Sequence, residues 1–357
     1  MRDSGEEDRL MDAAVFRGRS HTVLERVPVP EIGPGEILLQ VRCCGICSTD
    51  LKKIKYGLQA PPRIYGHEIS GRVAQVGSRV SQWQRGDRVV CHHHIPCGDC
   101  FFCRRGLHAQ CSQYKRTGTT AGFDPAGGGF AQYVRVMEWV VGQGVIPIPD
   151  PVSFEKATFL EPVNTCLKGV ERLGALPGEW VLLFGLGPIG LILLQLVRLE
   201  GLRVMASDPI ERRRGLARQL GAASALSPDR LEATCAALTE GRGADAAILA
   251  CDSPSALSQA VSLTRPGARI LLFAHTRKGD RREVDLGTLC RDEKEIVGSY
   301  SASIKLQRRA ARLVFEDDLD TEGLITHRFA LSEIEEALFL AAYPSGESLK
   351  IVVEPWR

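Results

Sequence analysis

Four closely spaced cysteines carry the clearest chemical information in this chain. The segment PCGDCFFCRRGLHAQC spaces them as C-x2-C-x2-C-x7-C. Spacing this short lets neighbouring turns of one loop converge on a single ion, as four thiolates around a tetrahedral zinc require. We predict a closed, structural zinc site that stabilises a lobe of about residues 91–115 and does no chemistry itself. Its predicted ligands are Cys97, Cys100, Cys103 and Cys111.

Two other uses of four cysteines fit this segment less well. Disulfides are disfavoured because the charged start, MRDSGEEDRL, has none of the apolar character of a secretory signal. In a ferredoxin-type [4Fe–4S] run, three residues separate the last two cysteines and a proline follows. Here seven residues intervene and no proline follows. Zinc therefore remains the favoured occupant.

A second set of metal-ligand side chains is spread along the chain. A catalytic zinc takes about three protein ligands and keeps one position open. Cys47 follows a predicted strand, and His67 stands directly before Glu68. Glu161, in FLEPVNTCLKG, is a further anionic candidate. Cys47, His67 and either Glu68 or Glu161 would give a mixed sulfur, nitrogen and oxygen set.

Each of these signals is weak when taken singly. A His-Glu pair is commonly a surface or core pair, and the C-x-x-C of Cys44 and Cys47 could indicate redox chemistry. The redox interpretation fits badly because thioredoxin-like motifs precede a helix in a βαβ unit. The tract His92, His93, His94 could bind a metal. We interpret it as a loop leading into the cysteine lobe.

A glycine-rich motif predicts a dinucleotide site. The segment GLGPIG is G-x-G-x-x-G at the end of an apolar strand and the start of a helix, which is the context this motif needs. Its glycines allow a tight turn, close approach of the pyrophosphate and close helix–strand packing, while the helix N-terminus attracts phosphate. The alternative is a tight turn that binds nothing. The predicted cofactor contacts here are Gly185, Gly187, Pro188, Ile189 and Gly190.

The choice between NAD and NADP depends on the next strand. Asp208 stands 23 residues after Gly185, where a carboxylate would accept hydrogen bonds from the ribose and repel a 2′-phosphate. This favours NAD. Arg212, Arg213 and Arg214 follow, and they would either tolerate a phosphate or form a solvated helix face. We include Arg213 among the predicted cofactor contacts.

The elements that position these groups change character along the chain. From about Met11 to Val145, short β-branched segments broken by glycine and proline predict a β-barrel. From about Phe159, alternating strands and helices predict a doubly wound parallel sheet. After Gly298 the pattern is mixed, with a helix predicted for RFALSEIEEALFLA and a strand for LKIVVEP. The predicted fold class is therefore α/β plus β, with the last segment returning to the first domain.

Bulk properties exclude some classes of function. The 357 residues suffice for two cores, and a net charge of +2 without a basic, aromatic-rich stretch argues against nucleic acid. The apolar run Trp180–Val197 contains three glycines and a proline, so we predict a strand, turn and buried helix instead of a membrane span. Twelve cysteines suit a reducing, cytoplasmic location. Residues 1–10 are expected to be a disordered extension, or Met11 the true start.

Taken together, these residues resemble the zinc-dependent medium-chain alcohol dehydrogenases over essentially Met11–Arg357. The segment GHEISGRVAQVGSRV fits the family signature G-H-E-x2-G-x5-G-x2-V, and the cysteine segment and GLGPIG follow in the family's order. The polyol and threonine dehydrogenase branch is the most similar, because it too has CGIC-x-TD and LEP segments. The signature positions here are Gly66, His67, Glu68, Gly71, Gly77 and Val80.

The resemblance implies a discontinuous GroES-like β-barrel catalytic domain and a Rossmann domain, with the active site in the cleft between them. We expect the catalytic domain at residues 11–158 and 299–357, and the Rossmann NAD-binding domain at 159–298. It implies Cys47 and His67 as zinc ligands, with Glu68 or Glu161 completing the sphere directly or through water. Thr49 matches the hydroxyl of the family's proton relay.

The implied activity is zinc-assisted hydride transfer between an alcohol and NAD, or less readily NADP. A cleft with polar side chains suits a polyol or amino alcohol such as threonine better than a long aliphatic alcohol, and the polar candidates are Thr49, Glu68, Glu161 and Asn164. Two departures from many relatives are Ser48, where glycine is common, and Lys52, where histidine passes the proton to solvent. Lys52 either replaces that histidine or is a surface residue while water carries the proton.

Two other readings of function stay open. The chain could be a dinucleotide-binding member that has lost catalysis, or a zinc-independent reductase, although both classes lack the cysteine and histidine ligands. Relatives associate through sheet edges near Glu295–Ser301, so a homodimer or homotetramer is expected.

Overall fold

The computed structural model describes residues 10–92, 95–113, 127–274 and 279–357. Leu10 already begins the first strand, while the rest of the predicted extension lies outside the described residues. His93 and His94 of the histidine tract lie outside them as well. The same holds for residues 114 and 115, at the end of the predicted cysteine lobe.

The chain forms two compact units. One contains the described residues up to Pro162 together with Ser303–Arg357, and the other is Val163–Ala302. The unit borders fall four residues after the predicted domain borders of 158/159 and 298/299.

The first unit is built on a seven-stranded sheet with β3 at its centre. Along β3, Leu39, Val41 and Cys43 are buried while Gln40 and Arg42 turn outward, which is the period-two pattern of a strand with one covered face. The strand order is β15-β16-β3-β5-β6-β8, with β7 also paired to β3. The strands are β3 Ile37–Gly45, β5 Glu68–Val76, β6 Arg88–Cys91, β7 Tyr133–Val136, β8 Val145–Pro147, β15 Ile325–Ala330 and β16 Lys350–Glu354.

The described part of this unit also contains a three-stranded sheet of order β2-β1-β4 and several helices. Its core contains Phe16, Ile37, Ile69 and Phe130, each at most 1% exposed. The remaining elements are β1 Leu10–Gly18, β2 His21–Pro28, α1 Ser48–Tyr56, β4 Arg63–Ile64, α2 Glu138–Gln143, α3 Phe154–Ala157, α10 Gln307–Phe315 and α11 Ile334–Ala342. A further helix, α4 Leu160–Leu173, continues into the second unit.

The second unit contains a six-stranded parallel sheet of order β11-β10-β9-β12-β13-β14. All five residues of β9 are buried, as expected for a central strand covered on both faces. The strands are β9 Trp180–Phe184, β10 Arg203–Ser207, β11 Ser224–Leu226, β12 Ala244–Leu249, β13 Thr264–Leu272 and β14 Glu295–Gly298. The helices are α5 Pro188–Leu199, α6 Glu211–Gln219, α7 Leu231–Leu238, α8 Pro254–Ser262 and α9 Leu286–Arg291.

Both expected architectures are present: sheets of mixed pairing in one unit and a doubly wound parallel sheet in the other. The apolar run from Trp180 divides into β9, a glycine turn and α5. Of the helices that the described residues form, none has the length and apolar composition to span a bilayer.

The prediction of a single helix for RFALSEIEEALFLA is wrong at its start. Arg328, Phe329 and Ala330 end strand β15, which pairs in parallel with β16, and α11 begins only at Ile334. Pairing with β16 overrides the helical periodicity, because a long-range partner satisfies the backbone at these three positions.

Candidate catalytic metal centre and dinucleotide loop

Cys47 lies between β3 and α1, where it caps the helix N-terminus. Its Sγ accepts a hydrogen bond from the Thr49 N–H at 3.5 Å, and the Asp50 carboxylate accepts one from the Cys47 N–H at 3.3 Å. This reciprocal pair is a capping box with cysteine in the position usual for serine or threonine. The local fold therefore fixes the direction of the sulfur.

His67 and Glu68 reach Cys47 through the pairing of β5 with β3. Glu68 is the residue opposite Gly45, two positions before Cys47. Gly66 turns the chain into β5 with a φ of +93°, and a Cβ there would lie 2.8 Å from the Cys44 sulfur. One donor atom each from Cys47, His67 and Glu68 lies within 4.8 Å of the others.

Asp50 supports the His67 ring from behind. Nδ1 of His67 lies 3.0 Å from Oδ1 of Asp50, and both side chains are buried. This contact leaves Nε2 as the nitrogen available to a metal, a common arrangement for metal-binding histidines. Burial lowers the pKa of His67, but the Asp50 carboxylate and the Cys47 sulfur raise it by more, so it lies well above its usual value.

Glu68 is paired with a lysine from the far end of the chain. Lys350, on β16, forms an ion pair with Oε2 of Glu68 and donates to the Ile46 carbonyl at 3.2 Å. Burial lowers the pKa of Lys350, but Glu68 and Cys47 raise it by more. Gly45 makes room for this pair, because a Cβ there would come within 1.9 Å of Oε2 of Glu68.

Asp50 and Lys350 are the two polar groups at this site whose roles sequence reasoning missed. Asp50 stands in the quoted CGICSTD segment, so its place three residues after Cys47 was a usable signal. Lys350 had no local signal, because 282 residues separate it from Glu68.

The other predicted participants lie around this cluster. Glu161, in the first turn of α4, is 8% exposed and stands outside the group of three donors, although its charge raises the pKa of Lys350. Thr49 is half-buried in the first turn of α1. His92 is fully buried, which lowers its pKa to about 4, and within the described residues it belongs to neither group of metal-ligand side chains. The geometry thus favours Glu68 over Glu161, and the ligand roles remain predictions.

The four cysteines of the predicted structural site lie together. Their sulfur atoms are all within 4.8 Å of one another, and the described stretch includes two short 3₁₀ turns, Cys103–Arg105 and His108–Gln110. The Cys97 N–H donates to the Cys111 sulfur at 3.3 Å, and the Cys100 N–H to the Cys97 sulfur at 3.4 Å. N–H donors of this kind stabilise thiolates, which is the form that zinc binds.

A disulfide does not account for this cluster. The sulfur atoms of Cys97 and Cys103 are 3.9 Å apart, whereas a disulfide bond measures about 2.05 Å. All twelve cysteines of the chain lie among the described residues, and all are free thiols. Burial and neighbouring sulfurs raise the pKa of Cys103 to about 12, a tendency that a bound cation would reverse. The donor set and its geometry fit zinc.

The glycine-rich loop has an open backbone where a phosphate would approach. Gly187 caps α5, Pro188 is its first residue, and a Cβ at Gly187 would meet nothing within 4 Å. Gly185 has a φ of +90°, and a Cβ at Gly190 would lie 1.9 Å from the Gly185 carbonyl oxygen. The three glycines therefore have the backbone geometry that the turn, approach and packing roles of a dinucleotide loop would need, and the cofactor contacts themselves remain predictions.

Asp208 directly follows β10 and contacts this loop. Its carboxylate accepts a hydrogen bond from the Leu186 N–H at 2.7 Å and another from the Ile210 N–H at 2.9 Å. Nη1 of Arg213 lies 4.0 Å from the same carboxylate. The predicted acidic and basic cofactor contacts are thus neighbours, next to the loop that both would serve.

Comparison with known proteins identifies two matching regions. Residues 33–150 match the family described as the alcohol dehydrogenase GroES-like domain, and residues 188–316 match the zinc-binding dehydrogenase family. The first range contains both groups of metal-ligand side chains, and the second contains most of the parallel-sheet unit.

Three similar proteins span almost the whole chain. D-arabinitol dehydrogenase 1 of Uromyces fabae is 33% identical over 338 residues, covering 92% of this chain and 93% of that protein. L-threonine 3-dehydrogenase of Pyrococcus furiosus is 34% identical over 340 residues, covering 92% and 94%. A solved structure from Sinorhizobium meliloti 1021, provisionally assigned as a zinc-binding dehydrogenase and bound to NADP, is 27% identical with a TM-score of 0.87, covering 97% and 99%.

Proposed function

This chain belongs to the zinc-dependent medium-chain alcohol dehydrogenase family, and we propose that it oxidises a secondary alcohol whose neighbouring carbon carries a hydroxyl or amino group. The relatives named for D-arabinitol and for L-threonine share that substrate chemistry. The observation that carries the proposal is the meeting of Cys47, His67 and Glu68 within 4.8 Å.

We assign Cys47, His67 and Glu68 to hold the catalytic ion, and Asp50 to fix the tautomer and orientation of His67. When bound, zinc supplies the Lewis acidity that makes an alcohol proton easier to remove, and the nicotinamide supplies the hydride acceptor. The chain's own contribution is to orient these groups and to bury them away from water. The buried His67–Asp50 contact of 3.0 Å supports this assignment.

Thr49 is our candidate for the first acceptor of the departing proton. It lies two residues after Cys47, and its N–H already contacts the Cys47 sulfur. Lys52 takes the position where many relatives carry a histidine, but we assign the rest of the path to water, because a lysine ammonium has no acceptor site for a proton. A second-acceptor role for Lys52 would make the Lys52→Ala variant slower by tenfold or more, on the scale of lost acid–base catalysis.

For the cofactor we propose a preference for NAD. The Asp208 carboxylate next to the loop would oppose a 2′-phosphate. Arg213, 4.0 Å away, weakens that opposition, and the Sinorhizobium meliloti structure contains NADP. Asp208→Ala should therefore lower kcat/KM with NAD and raise it with NADP, and an unchanged ratio would contradict the assignment.

We further propose that the protein is a homo-oligomer of the cytoplasm. Among the described residues, strand β14 lies at the edge of the parallel sheet, where an edge strand can pair with another chain. Free thiols at all twelve cysteines suit a reducing compartment. Light scattering on the purified protein tests the oligomer.

The decisive experiment is a substrate panel with metal analysis. D-arabinitol, sorbitol and L-threonine are each tested with NAD and NADP, with 2-butanol as the control that lacks a second polar group. We expect reduced cofactor to form with at least one of the first three and far more slowly with 2-butanol. Binding of cofactor without turnover of any alcohol would favour the non-catalytic alternative.

A further inference from the structure

Lys350 is a buried cation at the proposed catalytic centre, outside both regions matched by family comparison. Its side chain is 6% exposed, and the Glu68 side chain that it pairs with is 1% exposed. It also donates to the Ile46 carbonyl at 3.2 Å, so two contacts fix its ammonium group. Burying a lysine carries a large desolvation cost, so its ion pair with Glu68 must compensate much of that cost.

Strand pairing within the sheet places Lys350 beside Glu68. Strand β3 pairs with β16 on one side and with β5 on the other, and Gly45 on β3 faces Val352 and Glu68. A Cβ on Gly45 would come within 1.9 Å of Oε2 of Glu68 and 2.8 Å of Cε of Lys350. The Lys350–Glu68 ion pair therefore packs against the backbone of Gly45, in space that a larger side chain at that position would fill.

Negative charge is concentrated around this centre, and Lys350 contacts it directly through Glu68. Cys47 as thiolate, Glu68 and Asp50 carry three negative charges, the nearby Glu161 adds a fourth, and His67 is neutral as a ligand. A divalent ion supplies two positive charges, and Lys350 supplies the third. Without Lys350, a bound metal ion would be left to compensate the buried Glu68 carboxylate, and a buried carboxylate favours close contact with such a cation.

We propose that Lys350 shares the Glu68 carboxylate with the catalytic metal ion and thereby limits how tightly that carboxylate binds the ion. This rests on the proposed function. Lys350 is a positioning residue in this account: it acts through Glu68 and keeps the ligand displaceable when an alcohol oxygen enters. The ammonium group of Lys350 would repel a metal ion held by the same carboxylate, and this repulsion would lower the affinity for the ion.

The chain offers a matched control for removing a buried lysine. Lys156, on α3, is 5% exposed like Lys350, and it pairs with the exposed Asp317. It is not part of either group of metal-ligand side chains in the described residues. Lys156→Met therefore reports the cost of losing a buried ion pair without touching Glu68.

The test measures zinc affinity by competition with a chelator in full-length protein. The cysteine cluster serves as an internal reference, since its zinc should not respond. We expect Lys350→Met, and Lys350→Gln as a second neutral variant, to hold the Cys47-site zinc about tenfold more tightly than wild type, from loss of one nearby unit charge. Lys350→Arg and Lys156→Met should stay within about threefold of wild type, because both keep a cation beside Glu68.

Cobalt substitution gives a readout that a merely structural lysine would not move. The ligand-field absorption of the Cys47 site should shift in Lys350→Met and stay unchanged in Lys156→Met. Equal or weaker zinc binding in both neutral variants would overturn the sharing of Glu68 while leaving the proposed function intact. If the wild-type protein instead holds only the zinc of the cysteine cluster, the proposed function and this inference fall together.

Discussion

The two groups of metal-ligand side chains in this chain are assembled in opposite ways. The cysteine cluster draws all four sulfurs from the fifteen residues between Cys97 and Cys111. The Cys47 centre joins the end of β3, the start of β5 and, through Lys350, the last strand. One site is a property of a loop, and the other is a property of a folded sheet.

The difference between the two groups explains which of them is suited to catalysis. A loop can close four ligands around an ion, and four sulfur ligands leave no position for a substrate. A sheet can bring three donors together at the ends of its strands and add groups such as Asp50 behind them. The open, supported geometry that catalysis needs therefore came from long-range pairing.

Removal of Cys47 should have the largest effect of the variants that test this comparison. Cys47→Ala should lower kcat/KM by about a thousandfold or more, because it removes a ligand of the centre that provides Lewis acidity. Metal analysis should show loss of one zinc and retention of the other. Initial rates with the best substrate of the panel provide the measurement.

Cys43→Ala is the matched control for that change. Cys43 is fully buried on β3, the strand that leads to Cys47, and burial raises the pKa of its thiol well above its usual value, so it stays protonated. This variant should lose some stability but keep its activity and both zinc ions. Activity in Cys47→Ala comparable to that of Cys43→Ala would end the assignment of the catalytic centre.

The opposite variant removes a ligand from the loop. Cys100→Ser should lower the free energy of unfolding by several kcal/mol, about 3 or more, since zinc binding contributes directly to the folding of such a lobe. The remaining zinc should be the catalytic one, with kcat per folded molecule little changed. Thermal unfolding followed together with zinc content measures this, and equal heat stability with both zincs retained would refute a structural zinc site.

Asp50→Asn tests the support behind His67. It keeps the shape and an acceptor for the ring but loses the charge, so zinc affinity at the Cys47 site should fall by about tenfold to a hundredfold. Chelator competition measures the change. Glu36→Gln is the control, because Glu36 is 6% exposed and binds Arg135 at 2.6 Å in the same unit. A similar loss of zinc in both variants would mean that Asp50 acts only through stability.

The features that could be predicted from the sequence are the local ones, and the features that could not are those assembled by long-range pairing. The cysteine cluster and the glycine loop were readable because their residues are neighbours in the chain and their spacing carries the geometry. Cys47, His67 and either Glu68 or Glu161 could be proposed as a ligand set from their side-chain chemistry, but each signal was weak singly and the family resemblance was needed to strengthen it, since no local pattern joins Cys47 to the others. Arg328–Ala330 were assigned to a helix because their strand partner, β16, lies more than twenty residues further on. Lys350 escaped notice for the same physical reason.

A third polar cluster tests whether long-range assembly alone implies chemistry. In the parallel-sheet unit, Asp245 accepts a hydrogen bond from the Trp180 N–H at 2.7 Å and binds Arg265 at 2.7 Å and Arg242 at 2.6 Å. Burial raises the pKa of Asp245, but Arg265, the Trp180 N–H and Arg242 lower it by more. Every partner is a hydrogen-bond donor, so the cluster offers no metal-ligand set and we assign it to stability.

Asp245→Asn should therefore lower the free energy of unfolding by about 2 kcal/mol, the scale of hydrogen bonds to a charged group, and leave kcat unchanged. Because the pKa of Asp245 is lower in the folded state, the wild-type advantage should be full above the ordinary aspartate pKa of about 3.9 and vanish as pH falls through the folded-state value. Urea unfolding from neutral pH to below pH 4 checks both the size and the sign. Asp252→Asn is the control, since its pair with Arg282 is at the surface, with the carboxylate 44% exposed, and such pairs contribute about 0–1 kcal/mol. A large loss of kcat in Asp245→Asn would mean that a cluster without metal ligands takes part in the reaction, and the contrast between the two metal sites would then no longer explain where the chemistry lies.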